Sequence, residues 1–423
     1  MGPEPRPSAL DNPGFRRLAL WLAGVPILCF YLWSTLVQPL LVRPVFPDFA
    51  QCFRAATRLR GGVDPYLSFL AIGHYSYNGS ECAYAPLTPW LVEPFTPLGE
   101  ENAALVVLVL LQLCLVAFLV LFYRGLRPVS RHEVALGALL LLGFEPVFAN
   151  LWNDQSNILV LLVSAVVLGA YLDGDHWRGG VAYGLAIAIK PLQPAVGLLL
   201  FWGRRWWMVA AAVAAGVLAS LLPGPRLLWE YLTRVLPAET GGTGFRDNAA
   251  PAGFLERLFH PATFYDGTAQ GGLAVRGLYA AVVVAVLAVT WWRLGRSPRA
   301  DRQGRAVEMA TAVAASPLLL TISHTFHAAL LLVPILLLVH VGLERRDRWL
   351  LGAAAVGWLC LGPVHAGMLT AIGNRFTVDA VLRIWNESQL LGMVVIWLGC
   401  LAALRARRSS RPEPLSPRLR SSR

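Results

Sequence analysis

Residues 18–41 read LALWLAGVPILCFYLWSTLVQPLL, 24 residues without a charge. At about 1.5 Å per residue such a helix outspans the roughly 30 Å hydrocarbon core of a bilayer. Arg16 and Arg17 stand before it and no small-residue cleavage pattern follows it. It is too long for a signal-peptide core, so it reads as a retained helix that also directs insertion. Nine further apolar runs follow, at 101–123, 134–151, 157–172, 206–223, 273–293, 308–322, 325–343, 349–370 and 389–404. The expected fold class is an all-α polytopic membrane protein of about ten spans.

Composition agrees. Of 423 residues 56% are hydrophobic and 14% charged, where a soluble protein carries roughly a quarter charged. The net charge of +11 does not point to nucleic acid, because the arginines sit in short clusters between apolar runs. That is an orientation signal. The clusters are Arg124, Arg127 and Arg131; Arg178; Arg204 and Arg205; Arg293 to Arg305; Arg345, Arg346 and Arg348; and Arg405, Arg407 and Arg408. The positive-inside rule puts all of them, and both termini, in the cytoplasm. Residues 42–100, 152–156, 224–272, the turn Ser323–Thr325 and 371–388 then lie outside. The tail 405–423, rich in Arg, Ser and Pro, reads as disordered.

Residues 180–202 break the alternation, since both flanks are basic: Arg178 before, Arg204 and Arg205 after. Pro191 and Pro194 interrupt the middle, and a proline breaks a helix. A re-entrant hairpin satisfies both flanks, and irregular backbone at that depth is tolerated where protein or a watery cavity surrounds it. The organisation expected is one membrane-embedded domain, 1–404, with long outer loops at 42–100 and 224–272.

The first outer loop is longer than ordinary connections. Within it Phe49, Cys52, Phe53, Ala56 and Leu59 recur at helical spacing, with Gln51, Arg54 and Arg58 opposite, an amphipathic helix suited to the membrane surface. Asp48 is well placed to cap that helix. It also reads as a carboxylate at the membrane surface, kept ionised by the helix N-terminus and able to take a proton from a hydroxyl nucleophile. Asp64, before Pro65, reads first as a turn residue and second as a ligand contact. His74, Tyr75, Tyr77 and Tyr84 make the next stretch polar and aromatic. Cys52 and Cys82 share the loop, where a bridge would brace it.

Lys190 is the one lysine of the chain, inside the broken apolar hairpin. Buried intramembrane cations generally face a partner in a cavity. Snorkelling to an interface is one reading and pairing with a lipid-linked phosphate the other. The loop 150–157 (NLWNDQSN) is dense in amides, which suits the mouth of a polar cavity, although Ser156 or Asn157 also serves as a cap. His324 and His327 sit at an outer turn, as interfacial caps or as donors to phosphate or sugar oxygens. The second loop carries Arg246-Asp247-Asn248 and a short amphipathic stretch, 254–258. No phosphate-cradling glycine motif, nucleophile elbow or nucleotide fold is present, so an enzyme here needs a membrane-delivered donor.

In this order the features resemble the GT-C glycosyltransferases, specifically glycosyltransferase family 87, whose members include polyprenol-phosphate-mannose-dependent mannosyltransferases. The resemblance rests on Asp48 with Asp64-Pro65-Tyr66, Tyr84-Ala85-Pro86, Gln155-Ser156-Asn157, Lys190 to Pro194 with Arg204-Arg205-Trp206, Asn248 before Gly253-Phe254-Leu255, and Ser316-Pro317 ahead of His324 and His327. Asp154 stands where the family often has Gly, and the stretch after Asn248 is Ala-rich where the family often has Gln-Ser. The resemblance implies a GT-C-like helical bundle and an inverting transfer, on the extracytoplasmic side, from a polyprenyl-phosphate sugar to a lipid or glycan acceptor. Asp48 would be the base. Arg54, Arg58, Asp64, Tyr66, Tyr84, Gln155, Asn157, Lys190, Asn248, His324 and His327 would bind substrate. Mannose is the first expected sugar, with arabinofuranose as a competitor. No tightly bound cofactor or metal is expected, the donor being a co-substrate; the partners are the bilayer and the two lipid or glycan substrates. A lipid-linked oligosaccharide polymerase or ligase, or a transporter, remains open. The polar residues cluster in outer loops instead of at the midplane, which disfavours a transporter.

Overall fold

The computed structural model describes residues 13–42, 46–72, 82–239, 243–264, 272–295, 301–372 and 380–406. Among them every regular element is a helix. Helix α1 (Pro13–Leu32) continues through one wide turn (Trp33–Val37) to Val42. The outer loop supplies α2 (Pro47–Arg60) and α3 (Leu87–Val92). Then follow α4 (Glu100–Leu126), α5 (Arg131–Leu142), α6 (Glu145–Asn153), α7 (Asn157–Asp173), α8 (His176–Ile189), α9 (Pro194–Trp202), α10 (Trp206–Leu221) and α11 (Pro225–Glu239). The second half holds α12 (Pro251–Phe259), α13 (Leu273–Leu294), α14 (Arg302–Ala315), α15 (Thr325–Arg345), α16 (Arg348–Leu361) and α17 (Ser388–Ala406).

Among the described residues five helices are long and apolar enough to cross a membrane, and two bent pairs raise that to seven. The pair α5–α6 bends by 54°. Gly143 ends the first helix there, and Pro146 lacks the N–H that would continue it. The pair α10–α11 bends by 110°, so α11 leaves the direction of the bundle and opens the second long loop as a helix. The shorter apolar helices include α7 and the 388–404 stretch of α17.

Helix α2 departs from expectation. Its apolar face does form, but Phe49, Phe53, Cys52 and Ala56 are buried in protein. Phe49 and Phe53 share one core with Leu87 of α3 and Ala103, Leu108 and Leu111 of α4. Burying each phenyl side chain stabilises by about 1.5–3 kcal/mol, so the helix is a lid packed on the bundle instead of a surface float. Asp48 is not its cap either. Phe46 is the N-cap and Pro47 opens the helix, leaving Asp48 inside the first turn with its carboxylate free of the helix's own N–H groups.

The segment around Lys190 doubles back. Helix α8 starts beside the end of α7, capped by Asp175 accepting from the Arg178 N–H (3.0 Å). It runs alongside α10 at close range: a Cβ on Gly184 would meet the Ala212 carbonyl oxygen at 2.3 Å. The helix stops at Lys190, because Pro191 and Pro194 cannot donate. After the turn 190–193 the Tyr183 hydroxyl donates to the Gln193 carbonyl (2.7 Å), and α9 returns to the end where it began, with the Arg205 guanidinium 5.4 Å from the Tyr171 ring centre. Lys190 is therefore held at the tip, level with the start of α7.

No bridge joins Cys52 and Cys82: both are buried free thiols, embedded in the packing between loop and bundle. Arg405 and Ala406, counted with the tail, still belong to α17. The rest of the tail, and His74, Tyr75 and Tyr77, lie outside the described residues.

Candidate active site

One side chain organises the site. The turn between α6 and α7 places Gln155, 2% exposed, under α2. Its Nε2 donates to the Asp48 carboxylate and to the Tyr84 hydroxyl (2.8 Å). Its Oε1 accepts from the Lys190 ammonium (3.0 Å). The ammonium also lies 5.1 Å from the Tyr84 ring centre and 5.2 Å from that of Phe326, cation–π contacts that help hold a buried charge. An acid, an amide and a cation drawn from three separate segments thus sit in one chain of hydrogen bonds.

Two cavities meet at this chain. The larger, about 800 Å³, runs between α1 with the wide turn after it (Phe30, Ser34, Thr35) and α6 (Phe148, Trp152). The smaller, about 150 Å³, holds Tyr84, Lys190, Tyr231, Glu239 and His327. Asp48, Gln51, His324 and Phe326 line both. Asp48 thus faces two chambers at once, an apolar-walled one reached past the first helix and a polar one with the cation.

The electrostatics correct one expectation. Burial raises the Asp48 carboxyl above the ordinary aspartate value, and the Gln155 hydrogen bond and the Lys190 charge pull it back only in part. Desolvation therefore outweighs the helix N-terminus, and the acid is a stronger base than a surface aspartate. Across the small chamber burial pushes the Glu239 carboxyl up to about 7, against the pull of Lys190. Behind Gln155, Asp154 caps α6 in the left-handed region (φ 51°). Burial carries its carboxyl to about 8, so it is a neutral acid at neutral pH.

The two histidines divide their roles by tautomer. Burial, with the nearby Lys190 charge, lowers His324 to about 4, so its ring is neutral. Its Nδ1 lies 3.3 Å from the Asp247 carbonyl, which can only accept, so the proton sits there and Nε2 is an acceptor. His327 Nδ1 instead accepts from the His324 N–H (3.2 Å). Its Nε2 carries the proton and is buried with no partner among the described residues, in the wall of the Lys190 chamber.

Of the residues singled out from sequence, Asp48, Tyr84, Gln155, Lys190, His324 and His327 converge. The others do not reach the chambers. Arg54 is exposed, Arg58 half-buried, and neither lines a cavity around Asp48. Asp64 closes a turn by accepting from the Tyr66 N–H (2.8 Å). Tyr66 is fully buried and its hydroxyl donates to the Tyr84 carbonyl (2.8 Å), which positions Tyr84. Asn157 donates to Asn150 (2.9 Å), which in turn holds the Phe326 carbonyl (2.7 Å). Asn248 ties the second loop to the irregular segment 321–323: it donates to the Thr243 and Thr321 carbonyls (2.8 and 3.0 Å) and accepts from the Ala250 and Ser323 N–H groups (3.1 and 2.9 Å). Gln51, Glu239 and Phe326 were not singled out, yet they line the site. A single buried lysine calls for carboxylate partners, and that was the one available clue to Glu239.

The pattern of glycosyltransferase family 87 matches residues 83–323, more than half of the chain. The chain belongs to glycosyltransferase family 87. The matched stretch contains Tyr84, Gln155, Lys190 and Asn248; His324 and His327 lie just beyond its end, and Asp48 lies well before its start. Two relatives come from Mycobacterium tuberculosis. One is an alpha-(1->3)-arabinofuranosyltransferase, 28% identical over 248 residues, 56% of this chain and 54% of the relative. The other is a polyprenol-phosphate-mannose-dependent alpha-(1-2)-phosphatidylinositol mannoside mannosyltransferase, 28% identical over 335 residues, 74% and 73% of the two chains. A mannosyltransferase of the same description from Mycolicibacterium smegmatis is 29% identical over 224 residues, 50% and 48%. The chain thus spans about half the length of the arabinofuranosyltransferase it matches.

Proposed function

We propose that this family member is an inverting glycosyltransferase that moves a sugar from a polyprenyl-phosphate donor to a lipid or glycan acceptor. The observation that carries the reading is Asp48 lining both chambers. The donor phosphate sits in the small chamber, against the Lys190 ammonium and the His327 Nε2–H. The sugar ring crosses the shared wall of Asp48, Gln51, His324 and Phe326. The acceptor enters the large chamber, whose apolar wall along α1 suits a lipid tail.

In the step, an acceptor hydroxyl oxygen bonds to the anomeric carbon while the bond from that carbon to the phosphate oxygen breaks. Asp48 takes the hydroxyl proton, and polyprenyl phosphate leaves with the electron pair of the broken bond. Attack opposite the leaving group inverts the anomeric centre. A positioned base contributes about 10²–10⁴-fold, and the preorganised cation and N–H stabilise the charge that collects on the phosphate. Since Lys190 and His327 already supply that stabilisation, we assign the step no metal and no tightly bound cofactor.

Mannose is our first choice of sugar, because the mannosyltransferase relative is matched over the larger share of both chains. The chambers open at the end of the bundle opposite Arg205 and Arg302, which by the positive-inside rule is extracytoplasmic, leaving both termini in the cytoplasm. The test is to incubate purified protein with radiolabelled polyprenyl-phosphate mannose or arabinofuranose and a membrane lipid extract. A labelled glycolipid of inverted configuration is expected; release of free sugar only, or a retained configuration, would refute the mechanism.

A further inference from the structure

At the end of the bundle away from Asp48, a cavity of about 990 Å³ opens between α4 and α5. Its place is fixed by Arg302, which donates both to Asp173 at the end of α7 (2.7 Å) and to the Gly125 carbonyl of α4 (2.8 Å). Tyr123 makes the floor. A Cβ on Gly137 would lie 1.8 Å from the Tyr123 hydroxyl, so the two helices meet through that ring. The walls are apolar, with Val116 and Val120 of α4 62% and 55% exposed. Arg124, Arg127 and Arg131 form the rim.

These three arginines are exposed, and none of their guanidinium groups makes a hydrogen bond or ion pair among the described residues. Neighbouring cations do otherwise: Arg302 pairs with Asp173 and Arg305 donates to the Leu172 carbonyl (2.9 Å). Glu133, two residues after Arg131, is turned inward onto His340 (2.8 Å). Arg131 also stands in the first turn of α5, where the helix dipole disfavours a cation but favours an anion beside it. Three uncompensated charges thus crown a membrane-facing apolar groove. Generic orientation arginines need only a count on one side of the membrane; they need no groove beneath them.

We propose that this groove binds one anionic glycerophospholipid, its phosphate among Arg124, Arg127 and Arg131 and an acyl chain along Val116 and Val120. Basic pockets between membrane helices are suited to such headgroups. The apolar wall commits the site to a lipid, since a free phosphate would have no use for it.

The experiment is native mass spectrometry of the full-length purified protein with phosphatidylglycerol or phosphatidylcholine added. Wild type is expected to prefer phosphatidylglycerol by at least about tenfold. In R124Q/R127Q/R131Q the preference should vanish, while R346Q/R348Q, at the same end of the bundle, should keep it. Val120→Trp fills the groove with all charges in place and should cut phosphatidylglycerol retention at least about threefold. Equal binding of the two lipids by wild type, an equal loss in the 346/348 control, or full retention in Val120→Trp would each overturn the proposal. Displacement of the lipid by glycerol 3-phosphate at matched concentration would reassign the rim to a free phosphate and overturn it too.

Discussion

Replacing Gln155 by Leu removes one side chain that touches the acid, the cation and Tyr84. A hydrogen bond to a charged group contributes about 1.5–3 kcal/mol and a neutral one about 0.5–1.5. Two of the three bonds go to groups assigned to the reaction, and water from the adjoining chambers replaces part of what is lost. A net loss of about 2–3 kcal/mol follows, or roughly 30–150-fold in kcat/KM. The pH profile adds an independent signature. Gln155 holds the Asp48 carboxyl down, so its removal lets that carboxyl rise further. A base works only when deprotonated, so activity on the acid side is lost at a higher pH than in wild type. Gln155→Glu sets a second carboxylate against Asp48 and should move the acid limb further still. The assay is radiolabelled sugar transfer by detergent-purified protein across pH, with thermal unfolding recorded in parallel. A kcat/KM within about threefold of wild type and an unmoved acid limb would refute the role given to Gln155.

Three further outcomes are expected. Lys190→Ala should weaken binding of the donor, or of polyprenyl phosphate, by about 10–100-fold, the worth of one charged hydrogen bond; acceptor KM should stay within about threefold, and unchanged donor affinity would remove its role. Glu239, raised by burial to about 7, is protonated below that pH and leaves Lys190 to the phosphate, but competes for it when ionised above. Wild-type donor affinity, read by equilibrium binding, should therefore fall as pH rises through about 7, and Glu239→Gln should flatten the dependence. Asn248→Ala, which breaks four buried hydrogen bonds, should cost about 2–4 kcal/mol of stability and lower the melting temperature. Turnover per folded molecule should stay near wild type, since no substrate role is assigned to Asn248.

The all-α membrane class was legible because an uncharged run long enough to cross a bilayer has few other homes; of about ten expected spans, five helices, or seven with the bent pairs, are long and apolar enough among the described residues. The doubling back at Lys190 was legible for a similar reason: Arg178 and Arg205 cannot sit on opposite sides if both follow the positive-inside rule, and Pro191 and Pro194 allow the turn. Helix α2 was read correctly as amphipathic but placed on lipid. Periodicity says that Phe49 and Phe53 need an apolar partner and not whether that partner is lipid or Leu87 and Leu108. The same limit misplaced Arg54 and Arg58, which a surface helix would have turned toward headgroups. Asp64, Asn157 and Asn248 were singled out as polar residues in outer loops; Asp64 and Asn248 are spent on backbone groups, which any irregular segment against a core must satisfy, and Asn157 on the Asn150 side chain that holds the Phe326 carbonyl. Glu239 was hidden because its partner lies 49 positions away across two helices, and only the fold brings an acid of one loop to the lysine of another.

The central claim is that Asp48 takes the proton of the acceptor. It is tested most directly by single-turnover transfer from a radiolabelled polyprenyl-phosphate sugar in wild type and Asp48→Asn, with donor binding measured on the same preparations. The account predicts a fall in transfer rate of about 10²–10⁴-fold, with donor affinity and folding retained. Transfer by Asp48→Asn at a rate near wild type would contradict it.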